Sequence, residues 1–261
     1  MNRTVLITGA SVGIGKEIAK LFAEDGSNLV LVARNKAKLE AIAKEWKNKY
    51  EIKVEPIVVD LSKPGSAKSL YSTLAKKKIK VDVLVNNAGF GVNGEFAQNE
   101  YSLESEMVHL NIVALAELSH LLLPGILKSE VKVKGILNVA STAAFQPGPY
   151  MSNYYASKAY VLSLSEGLHY ELKSHNVHVT CLCPGPTKTE FFDRADMNDN
   201  NLLKNEFLLA SAEFVAQEGY DSFEKNKAIA IPGFLNSLLA QTPRITPRFL
   251  VRRIAALMNK G

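Results

Sequence analysis

Short apolar runs alternate with longer amphipathic segments along the whole chain. The runs are rich in valine, isoleucine and leucine and do not alternate between apolar and polar positions, which is typical of strands buried on both faces. Seven such runs lie at residues 3–8, 28–33, 52–59, 82–85, 134–140, 177–183 and 228–231. We expect each run to form a strand.

The segments between the runs have the spacing of helices, with apolar residues recurring at intervals of three and four. Examples are Leu39, Ile42, Ala43 and Trp46, and then Val161, Leu164, Leu168 and Leu172. Strands that alternate with helices pair in parallel through right-handed crossovers. The pattern therefore predicts an α/β fold, a doubly wound, seven-stranded parallel sheet flanked by helices on both faces, in one domain over residues 1–261.

The composition is that of an ordinary globular domain, with 261 residues, 47% hydrophobic and 22% charged. It excludes a disordered chain, a collagen-like repeat and a disulfide scaffold. Cys181 and Cys183 stand two apart in an apolar run without metal-ligating neighbours, so we expect a buried strand and no metal site. No apolar run approaches the roughly 20 residues of a membrane-spanning helix, and no signal peptide is recognised. We expect a cytoplasmic protein.

The net charge of +5 belongs to the end of the chain. Residues 231–261 hold five basic and no acidic residues, whereas the preceding 230 residues hold 26 of each. A neutral body argues against nucleic acid as a partner. Leu250, Ile254 and Leu257 recur at helical spacing among four arginines, which predicts a basic amphipathic tail over about 232–261. The tail would make a peripheral membrane contact, or it would cover a subunit interface or the substrate lid, which is the alternative we favour.

A glycine-rich stretch follows the first run, at a place where parallel sheets bind ligands. Gly9, Ser11, Gly13, Ile14 and Gly15 lie between a predicted strand and a predicted helix. Glycines in such a turn let the backbone approach a phosphate, which the free amides at the helix N-terminus bind. The alternative is a tight turn without a ligand, but the position after the first strand favours a nucleotide.

Arg34 stands about 20 residues beyond the glycines, where a fold that prefers NAD has an acidic residue. A guanidinium suits a phosphate, so this position favours the 2′-phosphate of NADP, with Lys38 as a second candidate cation. The alternative is a solvated arginine at the start of a helix.

Polar or small residues, together with one leucine, follow the third and fourth runs, at the same expected edge of the sheet. They are Asp60 and Leu61, and then Asn87, Ala88 and Gly89. Such residues would line a groove for adenine and ribose. The alternative is an ordinary loop with an Asx turn.

Three residues offer acid–base chemistry. Ser141 follows the fifth run, and Tyr154 and Lys158 are four apart in a predicted helix, so they share a face. A phenol with a pKa of about 10 is a weak acid or base at neutral pH, and a nearby ammonium would lower that pKa. The alternative is a surface Tyr–Lys pair. Tyr155 has Ala159 four residues further on, so we assign it to packing.

With these motifs the sequence resembles the short-chain dehydrogenase/reductase family over residues 3–231. The resemblance rests on Thr8–Gly15 (Thr-Gly-x-x-x-Gly-x-Gly), Asn86–Gly89 (Asn-Asn-Ala-Gly), Asn111, Ser141, Tyr154–Lys158 (Tyr-x-x-x-Lys) and Pro184–Thr189. Each motif alone is weak, but all of them in order and at the family's spacing are specific. The resemblance implies a Rossmann-type fold and assembly into a homodimer or homotetramer.

The resemblance also implies that NADP(H) lies across the strand ends. The pyrophosphate would bind at Ser11–Gly15 and the 2′-phosphate at Arg34, with adenine between Asp60 and Leu61. The nicotinamide carboxamide would bind at Thr187 and Thr189, in the loop that begins with Pro184 and Gly185.

In the catalytic roles that the resemblance implies, Tyr154 donates a proton to a carbonyl oxygen while Ser141 stabilises the developing alkoxide. Lys158 would bind the nicotinamide ribose and lower the pKa of Tyr154, and Asn111 would anchor a water that relays protons. The activity expected is the NADP(H)-dependent interconversion of a carbonyl and a secondary alcohol. The alternatives are an NADP-binding sensor or scaffold without turnover, and a sugar-nucleotide epimerase or dehydratase.

Residues 190–227 follow the cofactor loop, where the family has its substrate lid. Apolar residues there and near Ser141 are candidates to line a pocket; they are Phe145, Phe191, Phe192, Phe207, Leu208 and Leu209. Aspartates and asparagines between 193 and 201 suggest a mobile polar tip. These residues predict a small-molecule, apolar substrate: a fatty acyl, steroid-like or other apolar ketone, or the corresponding secondary alcohol. The alternative is that they only close the core.

Overall fold

All seven apolar runs form strands of one parallel sheet in the computed structural model, which describes residues 2–189 and 209–260. The strands are β1 Thr4–Thr8, β2 Asn28–Ala33, β3 Val54–Val58, β4 Val83–Asn86, β5 Gly135–Val139, β6 His178–Leu182 and β7 Ile229–Ala230. Their order is β3-β2-β1-β4-β5-β6-β7, and every pairing is parallel. The predicted fold class is confirmed, and the strand order reverses between β1 and β4.

Helices cover both faces of the sheet. We number them over the described residues as α1 Gly13–Glu24, α2 Lys36–Lys49, α3 Ser66–Lys76, α4 Tyr101–Val108, α5 Leu115–Leu127, α6 Ser152–Leu172, α7 Ala212–Glu224, α8 Phe234–Gln241 and α9 Arg248–Asn259. One face carries α1, α2 and α7, with Phe22, Trp46 and Phe223 in its core. The other face carries α3, α5 and α6.

The predicted apolar periodicity agrees with burial in α2, where Leu39, Ile42, Ala43 and Trp46 are the buried residues. The edge strand β3 differs from the prediction of burial on both faces, because most of its residues are only partly buried. It contains Pro56, which lacks the amide hydrogen that a central strand would need.

Helices α4 and α5 are joined by a π-helical segment, His109–Ala114, into one continuous helix. By length and composition this helix, Tyr101–Leu127, is apolar enough to cross a membrane. The expectation that no segment approaches that length was therefore wrong. Leu118, Leu122 and Ile126 pack in the core beside the sheet, as in the core helix of a globular domain.

The segment predicted as a lid, residues 190–227, has two parts. Residues 190–208, with the candidates Phe191, Phe192, Phe207 and Leu208 and the polar tip, lie outside the described residues. From residue 212 the chain forms α7, which packs against α1 through Val215, Ala216 and Phe223. That part belongs to the core of the domain.

The basic tail forms two helices, α8 and α9, separated by a short turn. Helix α9 has the predicted stripe of Leu250, Ile254 and Leu257, but these side chains are exposed. Its buried residues are Val251, Ala255 and Asn259. The stripe therefore covers nothing within the described part of the chain, and a neighbouring face of the helix makes the contact with the body.

Candidate active site

A cavity of about 610 Å³ opens at the carboxyl ends of the strands, where the strand order reverses. Parallel sheets bind ligands at this place. The predicted residues that line it are Gly9, Ser11, Gly13, Ile14, Arg34, Asp60, Leu61, Asn87, Ala88, Gly89, Ser141, Tyr154, Lys158, Pro184, Gly185, Thr187 and Thr189. Residues from seven separate loops and helices thus meet at one site.

The glycine-rich turn has the backbone of a phosphate-binding loop. Gly9 and Gly13 have φ angles of +68° and +55°, which side chains rarely allow. Val12 precedes α1 and provides no side-chain cap to the first amides of the helix. Val12, Gly13 and Ile14 line the cavity, so an anion there would meet uncapped amides at the positive end of the helix dipole.

Gly15, predicted as a cofactor-binding residue, does not line the cavity but lies behind it. A Cβ at this position would collide with the Asn87 side chain and the Gly9 carbonyl. The Asn87 amide donates to the carbonyls of Thr8, at 3.0 Å, and Gly9, at 3.2 Å. Gly15 therefore lets α1 approach the bonds that hold the turn in place.

Arg34 and Asp60 lie together at one end of the cavity. The Arg34 guanidinium is half-exposed and 3.9 Å from a carboxylate oxygen of Asp60. Partial burial acts to raise the pKa of Asp60, but hydrogen bonds from Ser62 and the charges of Arg34 and Lys63 hold it below its ordinary value. Lys38, the second candidate cation, also lines this end. This end of the cavity therefore presents the positive charges of Arg34 and Lys38 next to the carboxylate of Asp60.

Ser141, Tyr154 and Lys158 meet at the other end of the cavity. Ser141 caps the short helix Thr142–Phe145, accepting from the Ala143 amide at 3.1 Å. Tyr154 hydrogen-bonds to Ser141. The Lys158 ammonium lies 5.7 Å from the centre of the Tyr154 ring and donates to the Val139 carbonyl at 3.0 Å. Tyr154 and Lys158 therefore share a face of α6, as their spacing predicts.

The effect on the pKa of Tyr154 is opposite to the one expected from the sequence. Burial of the phenol raises this pKa, and the hydrogen bond to Ser141 counters it only in part. Burial also lowers the pKa of Lys158 to about 8, although the nearby Cys181 and Cys183 act to raise it. Removing both groups from water disfavours the phenolate and the ammonium alike, and this effect outweighs their proximity.

Asn111 lies in the π-helical segment and does not line the cavity. Its amide nitrogen donates to the Phe90 carbonyl at 3.0 Å and to the Ser157 hydroxyl at 3.1 Å, and its oxygen accepts from the Phe90 amide. Ser157 in turn donates to the Tyr154 carbonyl. These bonds make Asn111 a positioning residue behind the start of α6. Its predicted role with a bound water stays a prediction.

The loop after β6 crosses the cavity. The Thr187 hydroxyl donates to the Gly185 carbonyl at 2.9 Å. Thr189 lies close to Gly13, so that a Cβ added to Gly13 would be only 3.1 Å from the Thr189 methyl group. Thr187 also pairs with Ala210 in an isolated parallel bridge. This bridge joins the two sides of the stretch 190–208.

Sequence reasoning missed the apolar end of the cavity. Its lining there includes Leu110, Gln146, Met151, Tyr155, Met258 and Asn259. Tyr155, assigned to packing, donates from its hydroxyl to Asn259 at 3.1 Å, and Asn259 donates to the Pro149 carbonyl at 3.0 Å. Phe145 and Leu209, predicted to line the pocket, are not in its wall; Phe145 packs beside Ala144 instead. No spacing signal links Tyr155 with a residue 104 positions away.

Over residues 2–189 and 209–260, no group of three or more His, Cys, Asp or Glu side chains is arranged to hold a metal ion. Cys181 and Cys183 are buried free thiols in β6, with their sulfurs 3.7 Å apart.

In comparison with known sequences, residues 3–200 match the family model described as short chain dehydrogenase. A hydroxysteroid dehydrogenase-like protein 1 from Gallus gallus is 31% identical over 235 residues, covering 89% of this chain and 68% of the relative. A very-long-chain 3-oxoacyl-CoA reductase from Anas platyrhynchos is 33% identical over 189 residues, or 69% of this chain. The match spans only 58% of that reductase.

Comparison with solved structures finds the same architecture. A short-chain dehydrogenase from Sphingobium yanoikuyae, solved in complex with NADPH, superposes with a TM-score of 0.81 and 31% identity. The match covers 93% of this chain and 94% of that one.

Proposed function

Since the chain belongs to the short-chain dehydrogenase/reductase family and is an oxidoreductase, we propose that it interconverts an apolar ketone and its secondary alcohol with NADP(H). Tyr154 is the acid–base residue of this reaction. The observation that carries the proposal is the hydrogen-bonded pair of Tyr154 and Ser141 in the cavity wall, with Lys158 one helical turn further on.

The cofactor is NADP(H), as in the NADPH complex of the Sphingobium relative. The uncapped amides at Gly13 and Ile14 suit its pyrophosphate, and the exposed guanidinium of Arg34 suits its 2′-phosphate. Asp60, Leu61 and the stretch Asn87–Gly89 would hold the adenosine half. Thr187 and Thr189, in the loop that begins with Pro184 and Gly185, would hold the carboxamide. When bound, the cofactor supplies the hydride for reduction or accepts it in oxidation.

In reduction, the neutral phenol of Tyr154 donates its proton to the carbonyl oxygen of the substrate. Burial keeps that proton on the phenol until the oxygen becomes basic. The Ser141 hydroxyl donates a hydrogen bond to the same oxygen and stabilises the charge that develops there. Lys158, whose pKa of about 8 lies close to neutrality, stabilises the phenolate and returns a proton to it.

The substrate end of the cavity favours an apolar ketone. Leu110, Met151 and Met258 contribute apolar surface there, and Gln146 and Asn259 contribute a few polar groups. The names of the two relatives, a hydroxysteroid dehydrogenase-like protein and a 3-oxoacyl-CoA reductase, support a steroid-like or fatty acyl compound. A cytoplasmic location, a homodimer or homotetramer, and a peripheral membrane contact stay predictions from the sequence.

The test is NADPH oxidation with a panel of ketones, comparing the wild type with Tyr154→Phe. We expect kcat/KM to fall at least about 100-fold in the variant, since general acid catalysis is lost, while NADPH binding is retained. Tyr160→Phe is the matched control, because Tyr160 is exposed on the same helix. Unchanged turnover in Tyr154→Phe would refute the catalytic role. Binding of NADPH without turnover of any ketone would favour the sensor alternative.

A further inference from the structure

The two C-terminal helices and the turn between them hold ten of the nineteen large apolar side chains that are exposed among the described residues. These ten side chains lie between residues 234 and 258, and the other nine are spread between residues 58 and 214. The ten are Phe234, Leu235, Leu238, Leu239, Ile245, Phe249, Leu250, Ile254, Leu257 and Met258. Single exposed apolar residues are ordinary, but a concentration of them in one segment marks an interaction surface. We call the first nine of these residues the tail surface and leave out Met258, which lines the cavity.

Both helices already use another face to contact the body. In α9 the buried residues Val251, Ala255 and Asn259 recur every four positions. Leu250, Ile254 and Leu257 occupy a neighbouring stripe of the same helix. In α8, Ala240 is buried while the four large apolar side chains are exposed. The tail surface is therefore a second face, which remains after the helices have packed.

The tail surface is accompanied by positive charge without any negative charge. Residues 231–261 contain four arginines and one lysine and no acidic residue. Arg248, Arg252 and Arg253 are exposed on α9, and none of them forms an ion pair with a described carboxylate. The rest of the chain has no net charge.

Apolar side chains together with positive charge distinguish between two occupants of the tail surface, which are a second copy of the chain and an anionic membrane. A two-fold contact with a second copy through α9 would bring its three exposed arginines near the same three arginines of the copy, and residues 231–261 contain no carboxylate to pair with them. An anionic bilayer accepts apolar side chains at its headgroup boundary and also attracts each arginine. We propose that α8 and α9 dock on the surface of an anionic phospholipid membrane, with the tail surface inserted and the arginines among the headgroups.

Docking in this way would connect the membrane with the cavity. Met258 and Asn259 of α9 line the cavity, while Leu250 and Ile254 of the same helix face outwards. An apolar ketone dissolved in the bilayer would therefore meet the cavity wall beside the docked helix. This consequence rests on the proposed function, whereas the docking itself does not.

The test is co-sedimentation of the full chain with vesicles of phosphatidylcholine alone, or of phosphatidylcholine mixed with phosphatidylglycerol. We expect binding to the anionic vesicles that weakens with added salt, and little binding to phosphatidylcholine alone. Arg248→Gln/Arg252→Gln/Arg253→Gln should weaken binding at least about tenfold. The matched control removes three exposed lysines of α2 (Lys44→Gln/Lys47→Gln/Lys49→Gln) and should change binding less than about twofold.

A second pair of variants separates the apolar contribution from charge. Leu250→Ser/Ile254→Ser should also lose binding, whereas Tyr101→Ser/Tyr170→Ser, at exposed positions elsewhere, should not. Far-UV circular dichroism and urea unfolding of each variant check that it folds, whether or not it reduces a ketone. Absence of wild-type binding to anionic vesicles would overturn the proposal. So would a stable dimer that Leu250→Ser/Ile254→Ser dissociates. Vesicle binding without any ketone reduction would count against the proposed function alone.

Discussion

Lys158 combines a charge with almost complete burial. Its ammonium has the Val139 carbonyl as a hydrogen-bond acceptor and the Tyr154 ring as a neighbour. Removal from water lowers its pKa from the ordinary 10.5 to about 8. A group held this way at the site has a proton affinity useful for exchange near neutral pH, and it carries a cost in stability.

That cost predicts a pH dependence of stability. Below about pH 8 the folded and unfolded states both hold the Lys158 proton, and the penalty of about 3 kcal/mol is fully present. Between about 8 and 10.5 only the unfolded state holds the proton, so the free energy of unfolding rises with pH. Relative to Lys158→Met, the wild type should gain about 2 kcal/mol between roughly pH 7 and 9.5.

Urea unfolding of both proteins without cofactor, at a series of pH values, measures this difference. Lys173→Met, at the exposed end of the same helical region, is the control and should show no such trend. A wild-type curve parallel to that of Lys158→Met would mean that the buried lysine keeps its ordinary pKa.

At the scale of elements, α9 reaches back across the chain to the site. Asn259 accepts from the Tyr155 hydroxyl and donates to the Pro149 carbonyl, and it is buried. Tyr155 follows Tyr154 directly, so this contact helps to hold the start of α6, as the hydrogen bond from Asn111 to Ser157 does. The last turn of α9 thus forms part of the cavity wall.

Removing this contact should reduce both stability and substrate affinity. Asn259→Ala removes a buried partner from the Pro149 carbonyl and from the Tyr155 hydroxyl, which keeps its hydrogen bond to Gln146, and we expect a cost of about 1–3 kcal/mol. We expect KM for apolar ketones to rise several-fold while KM for NADPH changes little. A double-mutant cycle with Tyr155→Phe should give a coupling of about 1 kcal/mol in urea unfolding. Additive effects of the two changes would show that the contact carries no energy.

The elements that the sequence predicts well are those with a strong period. Six strands lie within their predicted runs, and β4 extends one residue beyond its run to Asn86, because buried parallel strands are continuous apolar stretches. The tail shows where this reasoning ends. Leu250, Ile254 and Leu257 and the buried face at Val251 and Ala255 are both apolar, so the period alone does not identify the face that packs. Asn259 is polar and was assigned to no face.

The site was predictable for a related reason. The carboxyl ends of strands in a parallel sheet meet at one edge, so the predicted cofactor-binding and catalytic residues between Gly9 and Thr189, except Gly15 and Asn111, converge on the cavity once the strands are known. The pKa shifts of Tyr154 and Lys158 were not predictable from the sequence. The spacing of Tyr154 and Lys158 indicates proximity, but the pKa shifts depend on how completely the surrounding chain excludes water.

At the scale of the whole molecule, the cavity joins both halves of the sheet. Its wall includes residues after β1 and β2 on one side of the reversal and after β4, β5 and β6 on the other, together with α9. A ligand that spans this wall contacts segments that separate on unfolding. Such a ligand stabilises the folded chain in proportion to the logarithm of its concentration over Kd.

NADPH should therefore raise the melting temperature of the protein, and NADH should raise it less because it has no 2′-phosphate for Arg34. At about 100 times Kd the stabilisation is about 2.7 kcal/mol, or roughly 5–10 °C for a chain of this length. Arg34→Leu should remove most of the difference between the two cofactors, whereas Lys36→Leu, exposed and outside the cavity wall, should keep it. Scanning calorimetry of the three proteins with each cofactor measures these shifts. Equal shifts with NADPH and NADH in the wild type would remove the phosphate-binding role of Arg34 and leave the glycine-rich turn as the main anchor of the cofactor.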